Sequence, residues 1–385
     1  MQPLDNVVVL DLTRILTGPF CTMMLADFGA DVIKIEPPQG DDTRRWGPPF
    51  IHGESAYYLS VNRNKRSIVL DFREEDDRAR FLQMVSQADV VVENYRPGTM
   101  ARWGFDYQSL KALNPGIIMA SISGFGATGP GRGRPGYDVV AQAMSGLMAV
   151  TGDGSGPMKA GFSVGDIGAG MWAAYGIMMA LWARERTGEG QWIDTSLYEA
   201  LISWQTYLAG NYFATGERPQ PLGSAHPNIA PYQAMRASDG YLVVACGNDA
   251  LWEKMIVECE ISFGHDPKFR TNPDRVRHRE ELIGRLESEV FERRTVAEWL
   301  DRLARAGVPA APIQSFDDVF QDPQVEHRTM DVVMEHPTAG SIHQLGIPVK
   351  MSSTPGALRT PPPLLNQHRE EILAQFGLTN ATPEA

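Results

Sequence analysis

Cysteine is scarce in this chain, with three residues in 385. Cys21, Cys246 and Cys259 are scattered and form no C-x-x-C pair. That excludes a disulfide scaffold and a zinc ribbon, and the expected setting is a reducing, cytoplasmic one. The eight histidines show neither H-x-x-x-H nor H-E-x-x-H spacing, so no metal site is expected. Positive charge is also in deficit: 35 Lys and Arg against 47 Asp and Glu give a net charge of −12. The molecule as a whole is therefore no nucleic-acid binder, and an anionic ligand must be held by local basic groups. The first residues carry no basic segment of the kind that opens a signal peptide. The longest apolar run, Ile167 to Ala183, contains three glycines and is bounded by Asp166 and Arg184-Glu185-Arg186. A bilayer needs about 20 apolar residues, and the run reads as a helix buried on all sides rather than a membrane span.

What is present is an ordinary globular composition, 43% hydrophobic and 21% charged, in a chain long enough for two or three domains. Val7 to Leu12 is a short β-branched run, as expected of a buried parallel strand. A helical spacing from Phe20 to Phe28 ends at Gly29, and Val32 to Glu36 is a second strand. Strand, helix and strand in about 30 residues make a βαβ unit. Further strands are expected at Ile68–Asp71, Val90–Glu93, Ile117–Ile122 and Gln191–Ser196, with helices between them. The rhythm predicts an α/β fold with a mostly parallel sheet. The turn after the first strand lacks G-x-G-x-x-G, so the dinucleotide fingerprint is missing there. Tyr137 to Ala149 is expected as one apolar helix and Leu197 to Leu208 as another. A second unit begins near Gly223, and Val332–Met334 and Ile347–Lys350 are expected as antiparallel strands of the tail.

Two features point to chemistry. Asp166 stands among four glycines, Gly161, Gly165, Gly168 and Gly170, directly before the apolar run. A carboxylate there can be a helix cap, or a nucleophile toward an activated acyl group with glycine leaving room for it. The second feature is a set of basic loops: Arg44/Arg45, Arg63/Lys65/Arg66, Arg96, Arg102 and Arg132/Arg134. Several lie where strands give way to loops, the rim at which α/β sheets bind ligands, and their charge suits a polyphosphate. The turn Gly223–Asn228, with His226, and the glycine-rich loop from Gly124 to Gly136 are further candidates for lining a site.

Taken together, Val9-Leu10-Asp11-Leu12-Thr13, Gly18-Pro19, Gly29 to Glu36, Asn64-Lys65-Arg66-Ser67, Val92 to Gly98, Gly136-Tyr137-Asp138, Gly165-Asp166 and Gly188 to Gln191 resemble the class III CoA-transferase family. The likeness runs over nearly the whole chain. It implies a Rossmann-like large domain built from both chain ends (1–205 and 325–385), a smaller α+β middle domain (223–320), and an interlocked homodimer. It implies acyl-CoA and a carboxylic acid as substrates, with no tightly bound cofactor, no metal, no nucleic acid and no membrane. Asp166 falls on the family's catalytic aspartate. Thr17, Asn64, Lys65, Arg66, Ser67, Asn94, Tyr95, Arg96, Arg102 and Tyr137 fall on segments that hold CoA. The implied route passes through a mixed anhydride and an aspartyl-CoA thioester.

Racemases of the same family carry a histidine where Tyr137 stands, and tyrosine, with an ordinary pKa of about 10, is a poor proton shuttle. The resemblance therefore favours transfer over 2-methylacyl-CoA racemisation, and over a non-catalytic CoA-binding dimer. Leu16 stands where formyl-CoA transferases have glutamine, and their tetraglycine loop has no counterpart around Gly223–Pro231. The compact turn there is similar to relatives that use succinyl-CoA and a dicarboxylic acceptor.

Overall fold

The computed structural model describes residues 1–378 and divides the chain into two compact units. The first comprises residues 1–147, 160–214 and the chain from Pro323 onward; the second comprises 148–159 and 215–322. The segment 148–159, grouped by sequence with the large domain, belongs to the second unit.

The first unit is organised by six parallel strands: β1 (Val8–Asp11), β2 (Asp31–Glu36), β3 (Lys65–Val69), β4 (Val90–Glu93), β5 (Ile118–Ser123) and β6 (Trp192–Ser196). Their spatial order is β3-β2-β1-β4-β5-β6. Alternate residues face opposite sides of the sheet, and both sides are dry. Val9, Val32, Val90, Val92 and Ile118 pack into one core cluster, while Leu10, Ile33, Ile35, Val91 and Met119 pack into another. That is why these strands read as largely apolar runs. Helices α1 (Thr17–Asp27) and α3 (Val164–Thr187) cover the first face. Helices Glu75–Val85, Tyr107–Leu113 and Arg369–Gln375 cover the second. From β1 the chain runs outward to β2 and β3, then returns to β1's other side with β4. The crevice between the loops after β1 and β4 is thus the topological switch point, where open α/β sheets bind ligands.

Five sequence expectations change. The strand expected at Ile68–Asp71 is β3, Lys65–Val69, so Lys65 and Arg66, read as loop residues, belong to the strand. The helix placed at Tyr137–Ala149 is two: α2 (Asp138–Met144) and a four-residue helix, Leu147–Val150, separated by Gly146 with φ +85°. The segment from Leu197 is α4 (Leu197–Ser203) followed by a second helix, Thr206–Thr215. The tail strand expected at Ile347–Lys350 lies instead at Gly340–Leu345, paired antiparallel with Asp331–His336. The turn between them ends at Gly340, φ +74°, a conformation glycine supplies at little cost. Finally, α3 is not buried on all sides. By length and composition it could cross a membrane. One face, with Gly165, Gly168, Ala169, Gly170, Ala173, Ala174, Ile177, Ala180 and Leu181, is buried in the unit's core. The other exposes Met171, Trp172, Tyr175, Met178, Met179 and Trp182.

The second unit has a three-stranded antiparallel sheet, Tyr232–Arg236, Tyr241–Ala245 and Ala310–Pro312, with Tyr241–Ala245 in the centre. Its core is built on Trp252, Phe269, Phe291 and Trp299. Buried Arg275 donates to the carbonyls of Ala230 and Phe269 and pairs with Asp249 at 2.7 Å.

Candidate active site

Asp166 is the third residue of α3, inside its first turn. The cap position is Ser163, and no side chain caps the helix there. The capping role considered from sequence is therefore not what the carboxylate does. Its Oδ1 accepts a hydrogen bond from the Thr17 hydroxyl at the start of α1. Burial pushes its pKa up to about 6; the Thr17 bond opposes that rise and the neighbouring Asp138 carboxylate adds to it.

Of the glycines around Asp166, Gly161 faces open space, but the other three are packed against neighbours. A Cβ on Gly170 would sit 2.6 Å from the Thr17 carbonyl oxygen, so α1 and α3 meet there backbone to backbone. A Cβ on Gly168 would meet the Trp204 ring at 2.9 Å, and one on Gly165 the Asp138 Oδ1 at 3.0 Å. Asp138, buried at the start of α2, accepts the Gly165 N–H at 2.8 Å and the Gln142 side-chain amide at 2.6 Å. Gln142 Oε1 in turn accepts the Ala160 N–H at 2.8 Å. Helix α2 thus holds both ends of the loop that leads into Asp166.

Asp166 opens onto a cavity of about 150 Å³ lined by Arg14, Thr17, Asn94, Tyr95, Arg96 and Arg134, with Tyr137 and Leu197 on its wall. A second cavity, about 280 Å³, runs along Leu12–Arg14, Ile35–Asp42 and Leu70–Arg73 and shares Arg14 and Tyr95 with the first. Both lie at the strand ends that flank the switch point. The Arg96 side chain is exposed and makes no hydrogen bond or ion pair among the described residues, while its carbonyl accepts the Thr99 N–H at 3.0 Å. The Asn94 side chain is used internally: it accepts the Arg14 N–H at 3.0 Å and donates to the Arg14 carbonyl at 2.8 Å, tying the β4 loop to the β1 loop.

The structure thus brings Thr17, Asn94, Tyr95, Arg96 and Tyr137 to Asp166, and leaves the other expected CoA-binding residues elsewhere. Arg102 lies outside this cavity, exposed, donating to Thr99 Oγ1 at 3.0 Å. Lys65 is 1% exposed and paired with Asp11 at 3.1 Å. Asn64 bonds Asp27 and the Ala357 carbonyl, and Ser67 donates to Glu36 at 2.7 Å. Arg66 pairs with Asp31 at 2.6 Å and Glu371 at 2.7 Å. Asn64, Arg66 and Ser67 stitch the returning C-terminal segment along the edge of β3, which would otherwise be an open strand edge, while Lys65 ties β3 to Asp11 and the Pro19 carbonyl.

Sequence reasoning passed over other residues. Tyr57 lies in the field of Asp166, and burial together with that carboxylate pushes its phenol up to about 12. Gly124, Gly126 and Gly129 have G-x-G-x-x-G spacing directly after β5, but they continue into a loop with no helix opening on them. The close packing of Gly124 on Gly136, 2.6 Å from a built Cβ to the Gly136 Cα, pinches that loop at its base. Gly161-Phe162-Ser163-Val164-Gly165 has the G-x-S-x-G spacing of a hydrolase elbow. That motif needs a strand running into the turn and a histidine beside the serine. A bend precedes Ser163, and no histidine lines the cavity.

A parallel sheet with this strand order, a half-buried carboxylate at its rim and arginines around the adjoining cleft define an α/β enzyme for an anionic, activated substrate. The model of CoA-transferase family III matches residues 4–369, and the chain belongs to that family. It is 42% identical to the succinyl-CoA:glutarate CoA-transferase of Mus musculus, over 97% of this chain and 86% of that protein. It is 40% identical to the acetyl-CoA:oxalate CoA-transferase of Acetobacter aceti, over 100% of this chain and 97% of the relative. The crystal structure of a CAIB/BAIF family protein from Brucella suis is similar with a TM-score of 0.86 and 43% identity, covering 97% of this chain and 99% of that one. The protein is a CoA-transferase, and CoA thioesters and carboxylic acids are its substrates. Among the described residues no cluster of His, Cys, Asp or Glu could hold a metal ion.

Proposed function

We propose that this CoA-transferase moves CoA from an acyl-CoA, succinyl-CoA first among donors, to a dicarboxylic acid, with Asp166 as the covalent nucleophile. The observation that carries the reading is the Asp166 carboxylate, largely desolvated, opening onto a cleft lined by arginines. An Asp166 oxygen attacks the thioester carbonyl, the C–S bond breaks, and CoA leaves as thiolate with a mixed anhydride on the enzyme. The thiolate then adds to the aspartyl Cγ, and the donor acid leaves as a carboxylate carrying one Asp166 oxygen. The acceptor carboxylate attacks the resulting aspartyl-CoA thioester, and released thiolate attacks the acceptor's carbonyl. The new acyl-CoA departs, and Asp166 is restored with an oxygen from the acceptor. Each step exchanges one activated acyl bond for another, so no ATP is needed.

The basic groups have places in this reading. The CoA nucleotide lies in the larger cavity beside Pro37–Asp42 and Leu70–Arg73, and its thiol arm passes Arg14 and Tyr95 toward Asp166. Arg96 and Arg134 are then available for the second carboxylate of the acceptor. Both relatives' names carry a dicarboxylic acceptor, glutarate in one and oxalate in the other, which supports the class of acid. Tyr137 where a racemase would need a proton shuttle favours transfer over racemisation. The test is a panel of succinyl-CoA and acetyl-CoA, each against mono- and dicarboxylic acids of increasing length, read by mass spectrometry for new acyl-CoA. Turnover confined to dicarboxylates, absent in Asp166→Ala with CoA binding retained, is expected. Equal turnover of monocarboxylates would remove the proposed acceptor class, and wild-type transfer by Asp166→Ala would remove the nucleophile.

A further inference from the structure

The turn from β1 into α1 is held in a costly shape. Ile15 has φ +72°, a left-handed conformation that a β-branched residue adopts only when its surroundings impose it. Its N–H points between the two Asp41 oxygens, 3.3 Å from each. Asp41 is itself held by Lys34 Nζ at 2.9 Å and by the Thr43 N–H and hydroxyl at 3.0 and 2.8 Å. Lys34 also donates to the Thr13 carbonyl at 3.0 Å. Asp11 accepts the Thr13 N–H at 2.9 Å and the Thr22 hydroxyl at 2.6 Å, and Lys65 joins Asp11 to the Pro19 carbonyl at 2.9 Å. Asn94 brackets Arg14 from the other side. Thr13, Arg14, Ile15 and Pro19 are therefore all tied down by buried or bracketing groups.

The outcome of this anchoring is the position of one hydroxyl. Thr17, 4% exposed, has its carbonyl against Gly170 and its Oγ1 on Asp166 Oδ1. A hydrogen bond to Oδ1 leaves Oδ2 to attack. We infer that the Thr17 hydroxyl is a catalytic group: it stays on Oδ1 while Oδ2 forms and loses its acyl bond, and it stabilises the oxyanion on Oδ1 whenever a nucleophile adds to Cγ. When thiolate adds, the sulfur pair forms the S–Cγ bond and the carbonyl π electrons move onto Oδ1. They return as the Cγ–Oδ2 bond breaks and the donor carboxylate leaves with Oδ2. Thr17 keeps its proton throughout. The negative charge on Oδ1 is greater in the adduct than in the anhydride or thioester before it, so the donor acts where it lowers the barrier. The inference rests on the reading of Asp166 as nucleophile.

The test follows the enzyme–CoA thioester by rapid quench and intact-protein mass spectrometry, with succinyl-CoA as donor. Thr17→Val keeps the side chain's shape without the hydroxyl, and Thr17→Ser keeps the hydroxyl. Loss of a single oxyanion donor costs about 10²–10³ in rate. The expected result is that Thr17→Val forms and discharges the adduct slower by about that factor at saturating succinyl-CoA, and that Thr17→Ser recovers most of the rate. Equal adduct rates in wild type and Thr17→Val, with none in Asp166→Ala, overturn the role of Thr17 and leave the nucleophile standing. Transfer by the wild type with no adduct at any time overturns both.

Discussion

The Asp166 carboxylate must be ionised to attack, yet stripped of enough water to be reactive. Its displacement to about 6, caused first by burial, gives two linked expectations. With the proposed mechanism, kcat/KM for acyl-CoA should fall with unit slope below about pH 6 and level off above it. A profile flat from pH 5 to about 8 would deny Asp166 a role as the free carboxylate. The same shift bears on stability. The folded pKa lies above the ordinary value of 3.8, so the fold favours the protonated form. That contribution is complete below pH 3.8 and lost as pH rises through about 6. At pH 8 the ionised group then costs the fold about 3 kcal/mol. Asp166→Asn is expected to raise the unfolding free energy by that order at pH 8 and to leave it unchanged near pH 3.5, measured by denaturant melts. The reactive carboxylate is thus favoured in its protonated form by the fold and used in its ionised form, as a nucleophile, by the proposed chemistry.

At the scale of elements, what could be read beforehand was what local patterning controls. β1, β2, β4 and β5 carry buried residues on both faces, and so declare themselves as largely apolar runs, broken only by Lys34 in β2 and Ser121 in β5. The aspartate before the longest apolar helix was visible for its company of glycines. Its partner was not: Thr17 lies 149 positions away, and only the backbone contact of α1 with α3 at Gly170 brings the hydroxyl to it. The same limit explains Asn64–Ser67. Their charge suggested a phosphate, but charge does not reveal that Asp11, Asp27, Asp31 and Glu36 stand waiting on neighbouring elements to neutralise or bond them. The break at Gly146 and the hairpin turn at Gly340 depend on positive φ, which glycine permits but does not announce. The exposed side of α3 was hidden because its large side chains are as apolar as those of a core.

That exposed side belongs to the scale of the whole molecule. Met171, Trp172, Tyr175, Met179 and Trp182 on α3 make an apolar surface of a kind single chains rarely leave in water. We propose that a second copy of the chain covers it. Light scattering is expected to give twice the 42.5 kDa chain mass, unchanged on dilution to micromolar concentration. A stable monomer would contradict this, and Tyr175→Glu with Trp182→Glu should lower the mass or the solubility if the face is buried between copies.

The covalent route through Asp166 also leaves a mark on the protein itself, since each cycle replaces one of its oxygens with one from the acceptor. The most direct measurement is to run transfer with an acceptor whose carboxylates carry oxygen-18, then digest the enzyme and weigh the peptide containing Asp166. The expected result is heavy oxygen in that peptide after turnover, at Asp166 by fragmentation, and none when acyl-CoA is omitted. Turnover with Asp166 still carrying only light oxygen would contradict the proposed mechanism.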